Sequence, residues 1–222
     1  FVESWTHHLE TYFEKYRDKF IRIEHPLLKK ITSNKSVGYD SQKINIVYTG
    51  ALYKKIRSPL TVLDFFSKLI IEDRRIVLHF YITGNCNAIV DEYSKRFPEN
   101  IFNHGKVPTD LAKSAIIRGD ILLSIGNIDT TQFPSKIFEY ISTGNKILHF
   151  YSKDDDPVIN TLSRYGNSCC IANSEINKEQ SKRYILELIH KSSNNIPYSK
   201  IERVYRDATP KYVAQQITEL LS

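Results

Sequence analysis

Methionine is absent from the chain: 222 residues contain none. A natural chain starts with one, so the sequence is expected to be an excised piece with a partner domain upstream. Cysteine is nearly as scarce. Cys86, Cys169 and Cys170 are an odd number without framework spacing, which excludes a disulfide scaffold and argues for a reducing, cytoplasmic compartment. Cys169 and Cys170 fall in an apolar stretch and read as small core residues. A zinc site would need further ligands at suitable spacing. Long apolar runs are also lacking, and none approaches the roughly 18 residues of a membrane span. The start, Phe1-Val2-Glu3-Ser4-Trp5, has no basic leader followed by an apolar stretch. No run of five Lys or Arg occurs and acids are interspersed with bases, so nucleic acid is not an expected partner.

The residues that are present, 41% hydrophobic and 25% charged, are those of a globular protein able to bury a sizeable core. The length suits one large domain, or one domain plus a fragment. A net charge of +6 fits an ordinary basic surface, or attraction to an anionic ligand or an anionic membrane face. Peripheral membrane contact is carried as an expectation on that ground.

From Lys43 onward, short apolar runs alternate with amphipathic ones. Strands are expected over 44–48, 76–82, 100–103, 120–125, 146–151 and 168–172. Helices are expected over 59–71 (with Ser58 as N-cap), 88–97, 109–118, 134–143, 156–165, 176–190 and 210–221 (with Thr209 as N-cap). Strands alternating with helices of this length imply βαβ units: an α/β fold, a Rossmann-like parallel sheet flanked by helices. Gly50, Gly84, Gly105 and Gly126 stand at strand ends, where an open α/β sheet lines its ligand crevice and where glycine lets backbone approach a ligand. Residues 1–42 differ. A polar, aromatic-rich helix is expected over 9–20, a strand over 20–23, and a polar linker over 34–41. This segment reads as the end of something that lies upstream.

Chemistry is concentrated after the fourth strand. A polar loop runs from Gly126 to Gln132, and a helix opens near Pro134. A helix N-terminus suits an anion, and Lys136 adds a full positive charge in the first turn, where it opposes the helix dipole. Glu139 follows three residues later on the same face. The two could be a surface ion pair. Alternatively, Lys136 meets phosphate while Glu139 accepts hydrogen bonds from a vicinal diol such as ribose. The loop after the first strand carries Lys54, Lys55 and Arg57 just before a helix. These are either a solvated basic loop or a grip on a diphosphate, with Arg57 best suited to fork onto it. No Gly-Lys-Ser/Thr closes that loop, and no GxGxxG follows a strand. Asp154-Asp155-Asp156 reads as a solvated helix start, and His7-His8 lacks a third ligand, so no metal is expected.

The ordered set Val47-Tyr48-Thr49-Gly50, Ile82-Thr83-Gly84, Phe102-Asn103-His104-Gly105-Lys106-Val107, Gly119-Asp120-Ile121-Leu122-Leu123 and Pro134-Ser135-Lys136-Ile137-Phe138-Glu139-Tyr140 resembles the C-terminal, donor-binding domain of family-four retaining glycosyltransferases of the GT-B fold. The match spans roughly residues 43–172. The resemblance implies a nucleotide-sugar-binding domain over 43–222, with 1–42 as the tail of a missing N-terminal acceptor domain plus a linker. It implies that Glu139 holds the donor ribose and that Arg57 and Lys136 hold the diphosphate; the Arg and Lys usual in the first loop of such enzymes are replaced here by Lys54, Lys55 and Arg57, with Lys55 a further donor-binding candidate. Gly50 would admit phosphate or sugar, Lys106 and Val107 would lie beside the base, and the loop from Asp129 to Gln132 would face the donor sugar through Thr131, Gln132 and backbone amides; Ser135 is a further donor-binding candidate. Such enzymes often carry a Glu eight residues before the position of Glu139. Here Thr131 occupies that position, with Asp129 two residues away. The implied reaction is retaining transfer to a glycan or lipid-linked acceptor without an essential metal or cofactor. Surface polysaccharide synthesis at the inner membrane face is the implied setting. Two other readings stand beside it: a nucleotide-sugar epimerase of the same fold, and a non-enzymatic α/β ligand-binding module.

Overall fold

Six apolar runs become the six strands of one sheet. The computed structural model describes residues 11–19, 23–192 and 195–221. Its strands are Ile44–Leu52 (β1), Ile76–Gly84 (β2), Ile101–Asn103 (β3), Ile121–Ile125 (β4), Lys146–Tyr151 (β5) and Ser168–Ala172 (β6). All pairings are parallel, in the order β3-β2-β1-β4-β5-β6. Both faces of a parallel sheet are covered, which is why β2 and β4 read as nearly unbroken apolar runs. The chain builds outward from β1 to β3 and then returns to place β4 beside β1. The topological switch therefore falls between β1 and β4, where α/β folds open their crevice. Those two strands pair only at Ile46–Ile121 and Val47–Leu122, and beyond these pairs their C-terminal ends do not pair with each other.

The helices are Leu60–Glu72 (α1), Asn87–Arg96 (α2), Thr109–Arg118 (α3), Lys136–Thr143 (α4), Pro157–Ser163 (α5), Glu179–His190 (α6), Tyr198–Val204 (α7) and Pro210–Leu221 (α8). Two hydrophobic clusters form, one on each sheet face. Phe66 of α1, Val90 of α2 and Ile185 of α6 pack with Ile46, Leu78 and Phe80 on one face. Ile116 of α3, Ile141 of α4, Leu162 of α5 and Ile201 of α7 pack with Val47, Leu122 and Ile147 on the other. Side chains alternate across a strand, so the adjacent Cys169 and Cys170 point to opposite clusters. Both are free thiols, and burial pushes Cys169 up to about 11 and Cys170 to about 12, which leaves them inert at neutral pH.

Several boundaries move for identifiable reasons. The cap of α1 is Pro59, not Ser58, because the Pro59 carbonyl accepts the first helical bond, from Leu63 N at 2.9 Å. The helix expected from Pro134 begins at Lys136, with Ser135 as its cap. Thr209 caps α8 as expected, its Oγ1 accepting from Tyr212 N at 3.3 Å. Helix α7 was not anticipated; its seven residues are too few to show a period. Of the helix expected over 9–20, Thr11 and Tyr12 are α-helical, and Glu14–Lys19 continues as a 3₁₀ helix instead. The beginning of that expected helix, and the strand expected over 20–23 apart from Ile23, lie outside the described residues.

The polar stretch before β1 is held along α3. Ser33 Oγ donates to the Asp110 carbonyl at 2.7 Å, and Val37 N donates to Ser114 Oγ at 2.9 Å. Leu28 is buried in the second cluster, and its N–H reaches the Ala208 carbonyl at 3.0 Å. Among the described residues, no helix is long and apolar enough to cross a membrane.

At the start of β5, Lys146 is buried, with Nζ donating to the carbonyls of Ile189 at 3.1 Å and Lys191 at 2.5 Å. These carbonyls end α6, where no intrahelical donor remains and a cation is favoured by the helix dipole. Burial lowers the Lys146 pKa, as expected for an ammonium taken out of water. Lys146→Met keeps the stem and removes the donors. It is expected to lower unfolding stability by about 2 kcal/mol in urea titration, with an unchanged denaturant slope.

Candidate functional site

At the switch point, two loops are stitched together. The Ile128 N–H donates to the Ile56 carbonyl at 2.9 Å. Arg57 directs Nε and Nη2 to Asn127 Oδ1 at 3.0 and 2.7 Å, and Nη1 to the Tyr48 hydroxyl at 3.4 Å. Asn127 Nδ2 donates in turn to the Gln132 carbonyl at 3.0 Å. The guanidinium thus sits half-buried between the loop after β1 and the loop after β4. Burial pushes the Tyr48 hydroxyl pKa up, while Arg57 opposes the shift. Gly50 lies within β1 rather than beyond it, at φ +139°, a conformation that L side chains rarely adopt. Lys55 stands exposed on the loop.

Helix α4 faces this crevice. Ile137, Phe138, Tyr140 and Ile141 bury one side of it. The Tyr140 hydroxyl pins it to β1, accepting from Thr49 N at 2.8 Å. The remaining face carries Lys136 and Glu139, joined by an ion pair of 2.9 Å with side chains 34% and 41% exposed. Of the two arrangements the sequence allowed, the structure holds the intrahelical pair. A pair this exposed is worth about 0.2–1 kcal/mol, so a diphosphate can compete for Lys136 at small cost. Ser135 stands exposed at the helix start without a side-chain cap bond.

In the loop ahead of α4, Asp129 Oδ1 accepts from Thr131 N at 3.0 Å and from Thr131 Oγ1 at 2.6 Å. These bonds hold the Asp129 carboxyl below the usual carboxylate range. The Thr131 proton is engaged, so its oxygen faces solvent as an acceptor. Gln132 has an exposed side chain and a carbonyl held by Asn127. Lys106 and Val107 follow β3, two strands away from β1. Lys106 is exposed, and Val107 packs onto the second cluster.

Two polar chains were not anticipated. In the first, Ser124 of β4 and His149 of β5 are register partners, with Oγ and Nδ1 2.9 Å apart. His149 Nε2 lies 3.4 Å from Asp156 Oδ2 without hydrogen-bond geometry. Asp156 is buried, not solvated as expected of the Asp154–Asp156 run, and caps α5 by accepting from Val158 N at 2.9 Å. With His149 fully buried, this Ser-His-Asp sequence is closed to substrate and acts as structure. It also accounts for Gly126: a Cβ there would lie 2.1 Å from Asp156 Oδ2, so the glycine makes room for a carboxylate of the protein itself. Among the described residues, no group of three or more His, Cys, Asp or Glu is placed to hold a metal ion.

The second chain runs under β2 and β3. His79 is buried, with Nε2 3.3 Å from Asn45 Oδ1 and Nδ1 3.1 Å from His104 Nε2. Burial, with His104 alongside, pushes the His79 pKa from 6.5 down to about 3. The folded pKa is depressed, so the unfolded state binds the proton more readily. The associated stability is complete above pH 6.5 and is lost as the pH falls from 6.5 toward 3. The expected slope is up to about 1.4 kcal/mol per pH unit in that window. His79→Phe should flatten it in urea titrations between pH 7 and 5.

No protein-family model and no curated protein matches the sequence. Among solved structures, the chain is similar to WaaG, a glycosyltransferase involved in lipopolysaccharide biosynthesis. The TM-score is 0.64 at 11% identity, over 93% of this chain and 57% of that one. It is also similar to the pneumococcal O-GlcNAc transferase GtfA in complex with UDP and GlcNAc (TM-score 0.57, 12% identity, 100% of this chain and 45% of that one). A third similar structure is that of S. aureus TarM with UDP (TM-score 0.57, 13% identity, 93% of this chain and 40% of that one). The chain thus spans about half the length of each. At these identities the likeness is one of fold, and the expected α/β architecture holds: this chain folds as the Rossmann-like domain of GT-B glycosyltransferases.

Proposed function

We propose that the β1–β4 crevice binds the diphosphate and ribose of a nucleotide-sugar donor, and that the chain is the donor-binding half of a glycosyltransferase. The observation that carries this reading is Lys136 beside Glu139 on the open face of α4, pinned by Tyr140 to the end of β1. A cation at a helix N-terminus is poorly placed for helix stability and well placed for phosphate. A carboxylate one turn along offers two acceptors to a diol. Diphosphate binding would draw Lys136 from Glu139 and release the carboxylate for the ribose. Donor loading is then an exchange of ion pairs, and neither group is left as a bare charge.

On transfer, the departing diphosphate gathers negative charge. Lys136, Arg57 and the α4 N-terminus would stabilise it electrostatically, which supplies the leaving-group role without a metal. Thr131, held by Asp129, would offer a hydroxyl oxygen to the sugar where a carboxylate was expected. The acceptor, a glycan or lipid-linked molecule, would bind on a partner domain, with retention of configuration. The similarity to WaaG, a glycosyltransferase involved in lipopolysaccharide biosynthesis, supports a place in surface polysaccharide synthesis. Calorimetric titration with UDP, CDP, ADP and GDP tests the reading. Binding of at least one of them is expected, and heat from none would overturn the donor site.

A further inference from the structure

The loop after β1 turns back on itself at its tip. Tyr53 and Arg57 form an antiparallel bridge, and the Tyr53 carbonyl accepts from Ile56 N at 3.0 Å and Arg57 N at 2.8 Å. Arg57 is directed to Asn127 and Tyr48. The residues between, Lys54, Lys55 and Ile56, are exposed, and so is Tyr53. Two further bonds fix this tip in place. Lys54 N donates to Asn85 Oδ1 at 2.9 Å, and the Ile56 carbonyl accepts from Ile128 N at 2.9 Å. The second bond sets Ile56 beside Ile128, at the start of the loop ahead of α4.

Tyr53 is 44% exposed, Ile56 40% and Ile128 48%. Single exposed apolar side chains are ordinary, but three gathered on two stitched loops make a patch that asks for a partner. The bonds that join the loops are made by backbone and by Asn85, so they do not require Tyr or Ile at these positions. The charge around the patch is one-sided. From Tyr48 to Leu63 the chain holds Lys54, Lys55 and Arg57 and no acid. The acid beside Ile128 is Asp129, whose Oδ1 is engaged by Thr131. Consecutive exposed residues at a turn form a projection and not a hollow, so they cannot enclose a small ligand. Tyrosine and isoleucine interleaved with lysine do suit a lipid–water boundary. The tyrosine ring rests at headgroup level, the isoleucines reach the acyl boundary, and lysine stems lie along apolar surface while their ammonium groups meet anionic headgroups.

We propose that these two loop tips dock the protein on an anionic lipid bilayer, with Tyr53, Ile56 and Ile128 in the interface and Lys54 and Lys55 on lipid phosphates. A net charge of +6 permits such contact anywhere on the surface; the patch gives it one place and one orientation. The tips follow the C-terminal ends of β1 and β4, so docking brings the crevice beside the membrane surface. The inference does not depend on the donor-site reading, because vesicle binding needs no nucleotide.

Co-sedimentation of the 222-residue chain with vesicles tests it. Vesicles of phosphatidylcholine and phosphatidylglycerol in equal parts are expected to bind wild type about ten-fold or more tightly than pure phosphatidylcholine does. Lys54→Gln/Lys55→Gln and Ile56→Ser/Ile128→Ser should each weaken binding to the anionic vesicles by about ten-fold or more. All four side chains are exposed, so the urea midpoint should hold in both variants. Arg74→Gln/Arg75→Gln removes the same charge just before β2, at the opposite end of the sheet, and should bind nearly as wild type does. An equal loss in that variant would reduce the effect to net charge, and undiminished binding of the isoleucine variant would reduce it to adsorption; either overturns the patch. Failure of wild type to bind the anionic vesicles would also overturn it, leaving the patch to a protein partner and the diphosphate site untouched. Vesicle binding without any nucleotide binding would sink the donor site and leave this inference standing.

Discussion

Lys136→Ala is expected to weaken binding of a nucleoside diphosphate by one to two orders of magnitude, about 1.4–2.7 kcal/mol. Two effects act in the same direction. The variant loses the cation at the α4 N-terminus, and it uncovers Glu139, whose carboxylate is paired with Lys136 at 2.9 Å. An uncovered carboxylate one helical turn from a phosphate repels it. Glu139→Gln should behave differently. It loses the charge-assisted bonds to the ribose, so nucleoside diphosphates weaken about ten-fold, but inorganic pyrophosphate should bind as well as before or better. The double variant Lys136→Ala/Glu139→Ala completes a cycle. Because the two residues are coupled, it should bind pyrophosphate better than Lys136→Ala alone. Calorimetry with the two ligands separates these cases. Equal loss of pyrophosphate in the Lys136 and Glu139 variants would contradict the division of roles.

Asp156→Ala is expected to cost about 3 kcal/mol of stability, read as a lowered urea midpoint. Loss of the α5 N-cap contributes about 1 kcal/mol. The rest comes from a buried His149 left facing a void, and from the void itself. Asp156→Asn should recover part of this, because an amide oxygen still accepts from Val158 N. The packing also predicts a coupling. Gly126→Ala alone drives a Cβ into the Asp156 carboxylate. In the Asp156→Ala background that obstacle is gone, so the same glycine substitution should be substantially less costly. Strictly additive costs would show that the glycine serves some other purpose.

The legibility of the molecule follows the range of its interactions. β1, β2 and β4 are visible as apolar runs because both of their faces are buried, and that property is local. Lys136 and Glu139 are visible because three residues along a helix is a neighbour distance. Whether they would pair with each other or with a ligand was open in the sequence, since helix geometry permits both. The Ser124–His149 contact was not visible, because it depends on the β4–β5 register across 25 residues. The Asn45–His79–His104 chain spans three separate segments for the same reason. Gly126 was legible as a glycine at a strand end, but its cause, a carboxylate thirty residues later, needed the packing. Helix α7 escaped because seven residues bury little more than Ile201.

Arg57 carries a consequence for motion. A guanidinium has five N–H donors, and here three of them serve Asn127 and Tyr48. Two remain for an incoming anion. A ligand that demands more must take them from Asn127, the residue that tethers the Gln132 carbonyl. Grip on the ligand and anchorage of the loop ahead of α4 therefore draw on one side chain, and a tightly held diphosphate would loosen the segment that faces its sugar.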